Sequence, residues 1–290
     1  MIDWSRIRNP VMEHDYWSLK DPCVALQKGV FHLFCSAFAP GNRCQLLHVT
    51  TEDFVTFSAP RMLWGQGDQG LCSPDISCID GLWHLTFQSW DPRPGHDRTH
   101  VKLWLSRSAD LVNWERPFVE LARNVNVDQR AIDPTVARSN GRWYCIYKQW
   151  QEPLLATADS LDDPDGWELL GRLPFQESTE NGQLLNIDGV WHLAIQPKSG
   201  QALGVMRGDG SDPEHWMDWD LRKVTMPHQP GFNDYQNNAA LYVADWRELD
   251  GHFYGVFHSR IVPEPKQNMS HWLGIARSRD LETWEFPGDH

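Results

Sequence analysis

The chain has 290 residues, with 39 acidic against 26 basic side chains and a net charge of −13. That balance repels nucleic-acid backbones and anionic lipid surfaces, so no nucleic-acid or membrane partner is expected, and a neutral small molecule suits the surface better. No stretch reaches transmembrane length, and the start Met1-Ile2-Asp3-Trp4-Ser5-Arg6 lacks the pattern of a secretory signal, so a cytoplasmic protein is expected.

The chain is organised by a repeat. Five times a two-residue turn signal is followed, two positions after its glycine, by a large aromatic ring: Lys28-Gly29 with Phe31, Asp80-Gly81 with Trp83, Asn140-Gly141 with Trp143, Asp188-Gly189 with Trp191, and Asp250-Gly251 with Phe253. Such pairs suit tight turns whose central residues take positive φ, so each copy predicts a β-hairpin. The glycines are 52, 60, 48 and 62 residues apart. That is the spacing of propeller blades, each too small to bury its own apolar face. In every repeat an inner strand leads into the turn, an aromatic-rich second strand such as 30–35 or 142–147 follows, and two weaker strands complete the blade. The expected fold is an all-β, five-bladed β-propeller, a single domain over residues 1–290 with a central active-site channel. Long helices are not expected, because no window sustains a helical apolar period.

Three copies of Asp-x-x-x-aromatic are expected to close outer strands: Asp53 with Phe57, Asp110 with Trp114, and Asp280 with Trp284. Trp167 and Trp216 take the equivalent places in the third and fourth repeats. With the turn aromatics, about ten rings are thereby assigned to blade core. The six cysteines, Cys23, Cys35, Cys44, Cys72, Cys78 and Cys145, show no zinc-type spacing and read as buried, reduced thiols. Two loops stand out, 91–100 and 227–236; the first, with two prolines, suits either a lid or a solvated connection.

The inner strands line the channel, and four of the five bring a carboxylate to the same mouth. They begin Lys20-Asp21-Pro22, Ser73-Pro74-Asp75, Ile132-Asp133-Pro134, Glu180-Asn181-Gly182 and Asn237-Asn238-Ala239. Asp before Pro is also an ordinary strand-start turn, and Asp75 has that reading open. Several acids around one water-filled hole repel one another, which a fold does not need and glycosidic-bond cleavage does. One protonated acid serves the leaving oxygen, one ionised carboxylate activates water or attacks the sugar, and a third nearby keeps the donor protonated.

The set Asp21-Pro22, Pro74-Asp75-Ile76, Ile132-Asp133-Pro134 and Glu180 resembles the five-bladed glycoside hydrolases of family 43, over essentially the whole chain. The resemblance implies Asp21 as general base, Asp133 as the residue that tunes and orients, and Glu180 as general acid of an inverting enzyme. Base and acid would then be roughly 6.5 to 9.5 Å apart. It requires no cofactor and allows a structural calcium ion in the channel near His258. Glu177 is the rival acid; Glu180 is preferred because it lies nine residues before Gly189, close to the eight that separate Asp21 and Asp133 from their glycines. The chain departs from the family in Cys72-Ser73-Pro74 and Glu180-Asn181-Gly182, where Trp-Ala-Pro and Glu-Gly-Pro are common. The retaining fructan and sucrose hydrolases are similar too, but their Asn-Asp-Pro and Arg-Asp-Pro are Lys20-Asp21-Pro22 and Ile132-Asp133-Pro134 here.

Hairpin geometry names the pocket wall, since second strands end beside the mouth where first strands begin. The ends are 36–38, 88–90, 148–150, 196–198 and 258–260. Phe38, Trp90 and Trp150 are candidates for stacking on a sugar, and Asp75, Gln196, His258 and Arg260 for polar contacts. The expected function is an exo-acting, inverting glycosidase for small carbohydrates, of α-L-arabinofuranosidase or β-D-xylosidase type. The alternatives are a retaining fructan/sucrose-type hydrolase and a sugar-binding propeller without catalysis.

Overall fold

The computed structural model describes residues 2–41, 43–64, 70–90, 101–234, 239–261 and 271–288. The expected loop 91–100, the end of the 227–236 loop and the Asn237-Asn238 start of the fifth blade lie outside these residues. Among the described residues twenty strands form five four-stranded antiparallel sheets, each with its strands in chain order, and the five are the blades of a β-propeller. The inner strands are β1 (Ser18–Gln27), β5 (Gly70–Ile79), β9 (Ala131–Ser139), β13 (Thr179–Ile187) and β17 (Ala239–Asp245). Each is followed by its hairpin partner: β2 (Val30–Ala39), β6 (Leu82–Trp90), β10 (Arg142–Gln149), β14 (Val190–Pro197) and β18 (Phe253–Arg260). Each inner strand packs against the next and β17 meets β1, which closes the ring.

The first four turn signals form tight hairpins with positive φ at both central residues, as at Asn140 (φ 47) and Gly141 (φ 81). The fifth does not. Between β17 and β18 the chain makes one helical turn, α1 (Arg247–Asp250), and Gly251 is its left-handed cap, its N–H donating 2.7 Å to Arg247 O. Arg247 supplies the physical reason: its guanidinium bonds Asp245 at the end of β17 and reaches Asp188 in the neighbouring blade's turn, pinning the longer connection.

The apolar core is five slabs, one between each pair of adjacent blades. Period-two alternation lets one strand feed two of them: in β10, Tyr144 and Ile146 face the fourth blade while Cys145 and Tyr147 face the second. The N-terminal segment seals the slab between last and first blades. Asn9 exchanges side-chain hydrogen bonds with the Ile275 N–H and C=O, both 2.9 Å, and Met12 pairs with Leu273 of β19 (His271–Ser278).

Two expectations are corrected. The Asp-x-x-x-aromatic motifs do not close outer strands but cap the turn between third and fourth strands. Asp280 Oδ1 accepts the N–H groups of Glu282 (2.9 Å) and Thr283 (2.7 Å), and Trp284 opens the last strand; Asp53 and Asp110 repeat the cap, each accepting two N–H groups of its own turn. Five cysteines are buried, but Cys78 is exposed, because it sits near the far end of β5, where the inner strand leaves the slab. In the 227–236 loop the described part is an architectural plug: Phe232 is buried against Phe257 and Phe286.

Candidate active site

Every inner strand carries a bulge near its start, where the hairpin register shifts. At that point one residue takes a left-handed backbone: Asp21 (φ 49), Ser73 (φ 52), Asp133 (φ 54), Asn181 (φ 47) and Ala240 (φ 52). Asp and Asn tolerate this conformation better than most residues, which accounts for three of the five. The bulge turns an N–H away from its own ladder and toward the preceding blade, where the second strand supplies an acceptor. His258 Nδ1 accepts from Asp21 N (3.1 Å), Ser36 Oγ from Ser73 N (2.7 Å), Gln88 Oε1 from Asp133 N (2.6 Å) and Gln196 Oε1 from Ala240 N (3.0 Å).

The blade-three residue at this position is Lys148, which has no acceptor. The Asn181 N–H therefore goes to Asp133 Oδ2 at 3.3 Å, and the Lys148 ammonium makes an ion pair with Glu180 instead. The Asn181 side chain completes the link by donating to Asp21 Oδ1 at 3.3 Å. One asparagine thus joins two carboxylates from different blades, with Glu180 adjacent to it in sequence. Ser36 donates to the other Asp21 oxygen at 2.9 Å.

Asp21, Asp133, Glu180 and Asn181 line a cavity of about 320 Å³ with Lys20, Phe38, Trp90, Arg130, Gln196 and His258. Asp21 and Asp133 are buried, whereas the Glu180 side chain is half exposed. The Asp133 carboxyl is pushed up to about 7, first by burial and then by the charges of Glu180 and Asp21, against the opposing pull of Lys148 and the Asn181 N–H. His258 is held well below its usual range by burial, by His271 and by Lys20. Neutral imidazole agrees with its role as acceptor, so its approach to Asp21 at 3.9 Å is not an ion pair. The arrangement offers a carboxylate held by two hydrogen-bond donors, a carboxyl that holds a proton near neutrality, and an accessible carboxylate beside a buried ammonium.

The expected contact residues divide. Phe38, Trp90, Gln196 and His258 line the cavity, but Gln196 and His258 also serve the inter-blade ring. The Phe38 ring has the Lys20 ammonium 5.5 Å from its centroid, and Trp90 has the Arg130 guanidinium at the same distance, so cations cover faces expected to stack on sugar. Trp150, just past the end of β10, and Arg260, the last residue of β18, do not line the cavity. Asp75 is two residues beyond its bulge and so sits in the neck beneath the cavity, where burial pushes it up to about 7 despite help from Thr135 and the Ile76 N–H. The rival Glu177 accepts from Ser199 N (2.9 Å) and lines a different hollow, over the outer part of the fourth blade. Asn181 was missed as a site residue, yet its distance of eight residues from Gly189 is that of Asp21 and Asp133 from their own glycines. Near His258 the acceptor nitrogen is already committed, and among the described residues no group of three or more His, Cys, Asp or Glu side chains is placed to hold a metal ion.

No protein-family model matches the chain, and no curated protein matches it in sequence. Solved structures do match in fold. An α-L-arabinofuranosidase from Lactobacillus brevis superposes with a TM-score of 0.67 at 15% identity, over 97% of this chain and 96% of that one. An α-L-arabinanase from Cellvibrio cellulosa, complexed with arabinohexaose, gives 0.62 at 16% identity over 91% and 92%. A family 43 β-xylosidase/α-arabinofuranosidase from a compost microbial metagenome, in complex with xylotriose, gives 0.63 at 13% identity over 99% of each chain. The chain shares the five-bladed propeller of family 43 glycoside hydrolases. At these identities it is the fold that is shared.

Proposed function

We propose that the protein is an inverting, exo-acting glycoside hydrolase that removes a terminal sugar from small oligosaccharides, of α-L-arabinofuranosidase or β-D-xylosidase type. The observation that carries the reading is the joining of Asp21 and Asp133 through Asn181, beside Glu180, in one cavity fed by three blades. In this reading Asp21, oriented by Ser36 and Asn181, takes the proton of an attacking water. Glu180 gives a proton to the leaving oxygen, and Asp133 sets the charge between them. The acid–base work of these carboxylates needs no cofactor. The fold neighbours solved with arabinohexaose and xylotriose support a carbohydrate substrate.

A panel of chromogenic arabinofuranoside, xyloside, galactofuranoside and fructoside substrates tests the activity, and proton NMR of the first-formed anomer tests inversion. A retained anomer would remove the base role from Asp21. Glu180→Gln is expected to lower turnover by roughly 10²- to 10⁴-fold while sugar binding persists. A second reading, a sugar-binding propeller without turnover, is favoured by the Lys148 ion pair, which a carboxyl poised to give up a proton does not need. Absence of turnover on every substrate, with binding intact, would select it.

A further inference from the structure

Of the tryptophans, all of which fall among the described residues, only Trp150 is exposed, at 51%. It follows the last residue of β10 and forms, with Gln151, the two-residue turn into β11 (Glu152–Ala158), since Gln149 pairs with Glu152. Its φ is +56°, a conformation that disfavours a bulky side chain. Folding therefore gains little from this ring and bears backbone strain and an exposed apolar face to keep it. The ring is also fixed. Trp150 Nε1 donates to Gln129 Oε1 at 2.9 Å, and Gln151 Oε1 accepts from Ser178 Oγ at 2.7 Å, tying the turn to the start of the strand that carries Glu180. Two residues back, Lys148 holds Glu180 itself, and two strand residues span about 7 Å.

A general acid delivers its proton to the leaving-group oxygen, so the leaving group departs on the acid's side of the cavity. Outside the cavity on that side stands the Trp150 indole, rigid, solvent-facing and with its one polar atom already bonded. We propose that Trp150 is the platform on which the sugar beyond the scissile bond stacks its C–H face. The substrate is then a glycoside whose leaving group is itself a sugar. This inference rests on the glycosidase reading and on Glu180 as its acid.

The test compares kcat/KM for an oligosaccharide with that for the glycosyl fluoride of the same terminal sugar, which has no leaving-group ring: xylotriose against β-D-xylosyl fluoride, and arabinohexaose against α-L-arabinofuranosyl fluoride. Trp150→Ala is expected to lose roughly tenfold or more on the oligosaccharide relative to the fluoride, and Trp150→Phe to regain most of it. Equal loss on both substrates, or loss on neither, overturns the platform while leaving the glycosidase reading intact. If the wild-type protein cleaves neither class, the glycosidase reading fails. Titration of the two oligosaccharides, followed by calorimetry, then decides the stacking role: unchanged affinity in Trp150→Ala overturns it, and a loss of roughly tenfold supports it.

Discussion

Asp75 offers the most direct quantitative test of the channel's electrostatics, because its shift arises chiefly from burial, whereas that of Asp133 is shared with Glu180 and Asp21. Asp75→Asn keeps the shape and removes the titration. The folded carboxyl, at about 7, lies above the ordinary 3.8, so the folded protein holds this proton more tightly than the unfolded chain does. The stabilisation is complete below pH 3.8, declines as pH rises through the interval to about 7, and is lost above it. The difference corresponds to about 4 kcal/mol. The new amide nitrogen would face a position where Asp75 Oδ1 has no hydrogen-bond partner, which costs about 1 to 3 kcal/mol at every pH and so cancels from the comparison. At roughly 2 °C per kcal/mol, the melting-temperature gap between wild type and variant should move by about 8 °C in the variant's favour between pH 4 and pH 8. Melts followed by circular dichroism at half-unit pH intervals measure it. A gap that stays constant over that range would refute the assignment of a buried, proton-holding carboxyl to the neck.

Further outcomes follow from the same groups. The Lys148 ammonium opposes the rise at Asp133, so Lys148→Met should move the Asp133 midpoint above about 7, read by ¹³C carboxyl NMR; an unchanged or lower midpoint would contradict the ring geometry. Ser36→Ala removes a hydrogen bond to Asp21 and orphans the Ser73 N–H, so it should lower both turnover and melting temperature; a loss of stability with undiminished kcat would deny Ser36 a positioning role. Asp280→Ala removes a turn cap and should destabilise by about 1 kcal/mol at neutral pH. Because its N–H partners hold the Asp280 carboxyl below 3.8, that deficit should shrink as the pH falls toward 2, a trend that thermal melts would show or deny.

How much of this was legible depends on what kind of physics fixed each residue. The hairpins were readable because positive φ at two successive positions is a local demand, met by Lys28-Gly29 and Asn140-Gly141 within their own dipeptides. The fifth turn was not, because the choice of α1 over a hairpin is made by Arg247 reaching Asp188, 59 residues away. The blade order and the gathering of Asp21, Asp133 and Glu180 followed from the repeat. Burial of individual cysteines did not, since Cys78 differs from Cys23 only in how far along the inner strand it falls. Among the strand-end residues, composition suggested that aromatic rings face the sugar. Phe38 and Trp90 do line the cavity, and register adds polar neighbours, pairing Lys20 with Ser36, Cys72 with Gln88, Ile132 with Lys148 and Glu180 with Gln196, and so bringing the first residue of each triplet to the acids.

The ring of inter-blade hydrogen bonds gives Glu180 its distinct place. In a regular propeller with five equivalent acceptors, each bulge N–H would be satisfied by the preceding blade and the carboxylates at the bulges would be free of that duty. Here four acceptors, Ser36, Gln88, Gln196 and His258, follow the rule. Lys148 breaks it, and its buried charge requires an anion within reach, because an unpaired ammonium in that position is costly. Glu180, one residue before the bulge rather than on it, meets that requirement and thereby sits closer to solvent than Asp21 or Asp133. The displaced Asn181 N–H in turn needs Asp133 as its acceptor. A single exchange of acceptor for donor in the third blade therefore accounts for both the outward position of the one exposed carboxylate and the coupling of the other two.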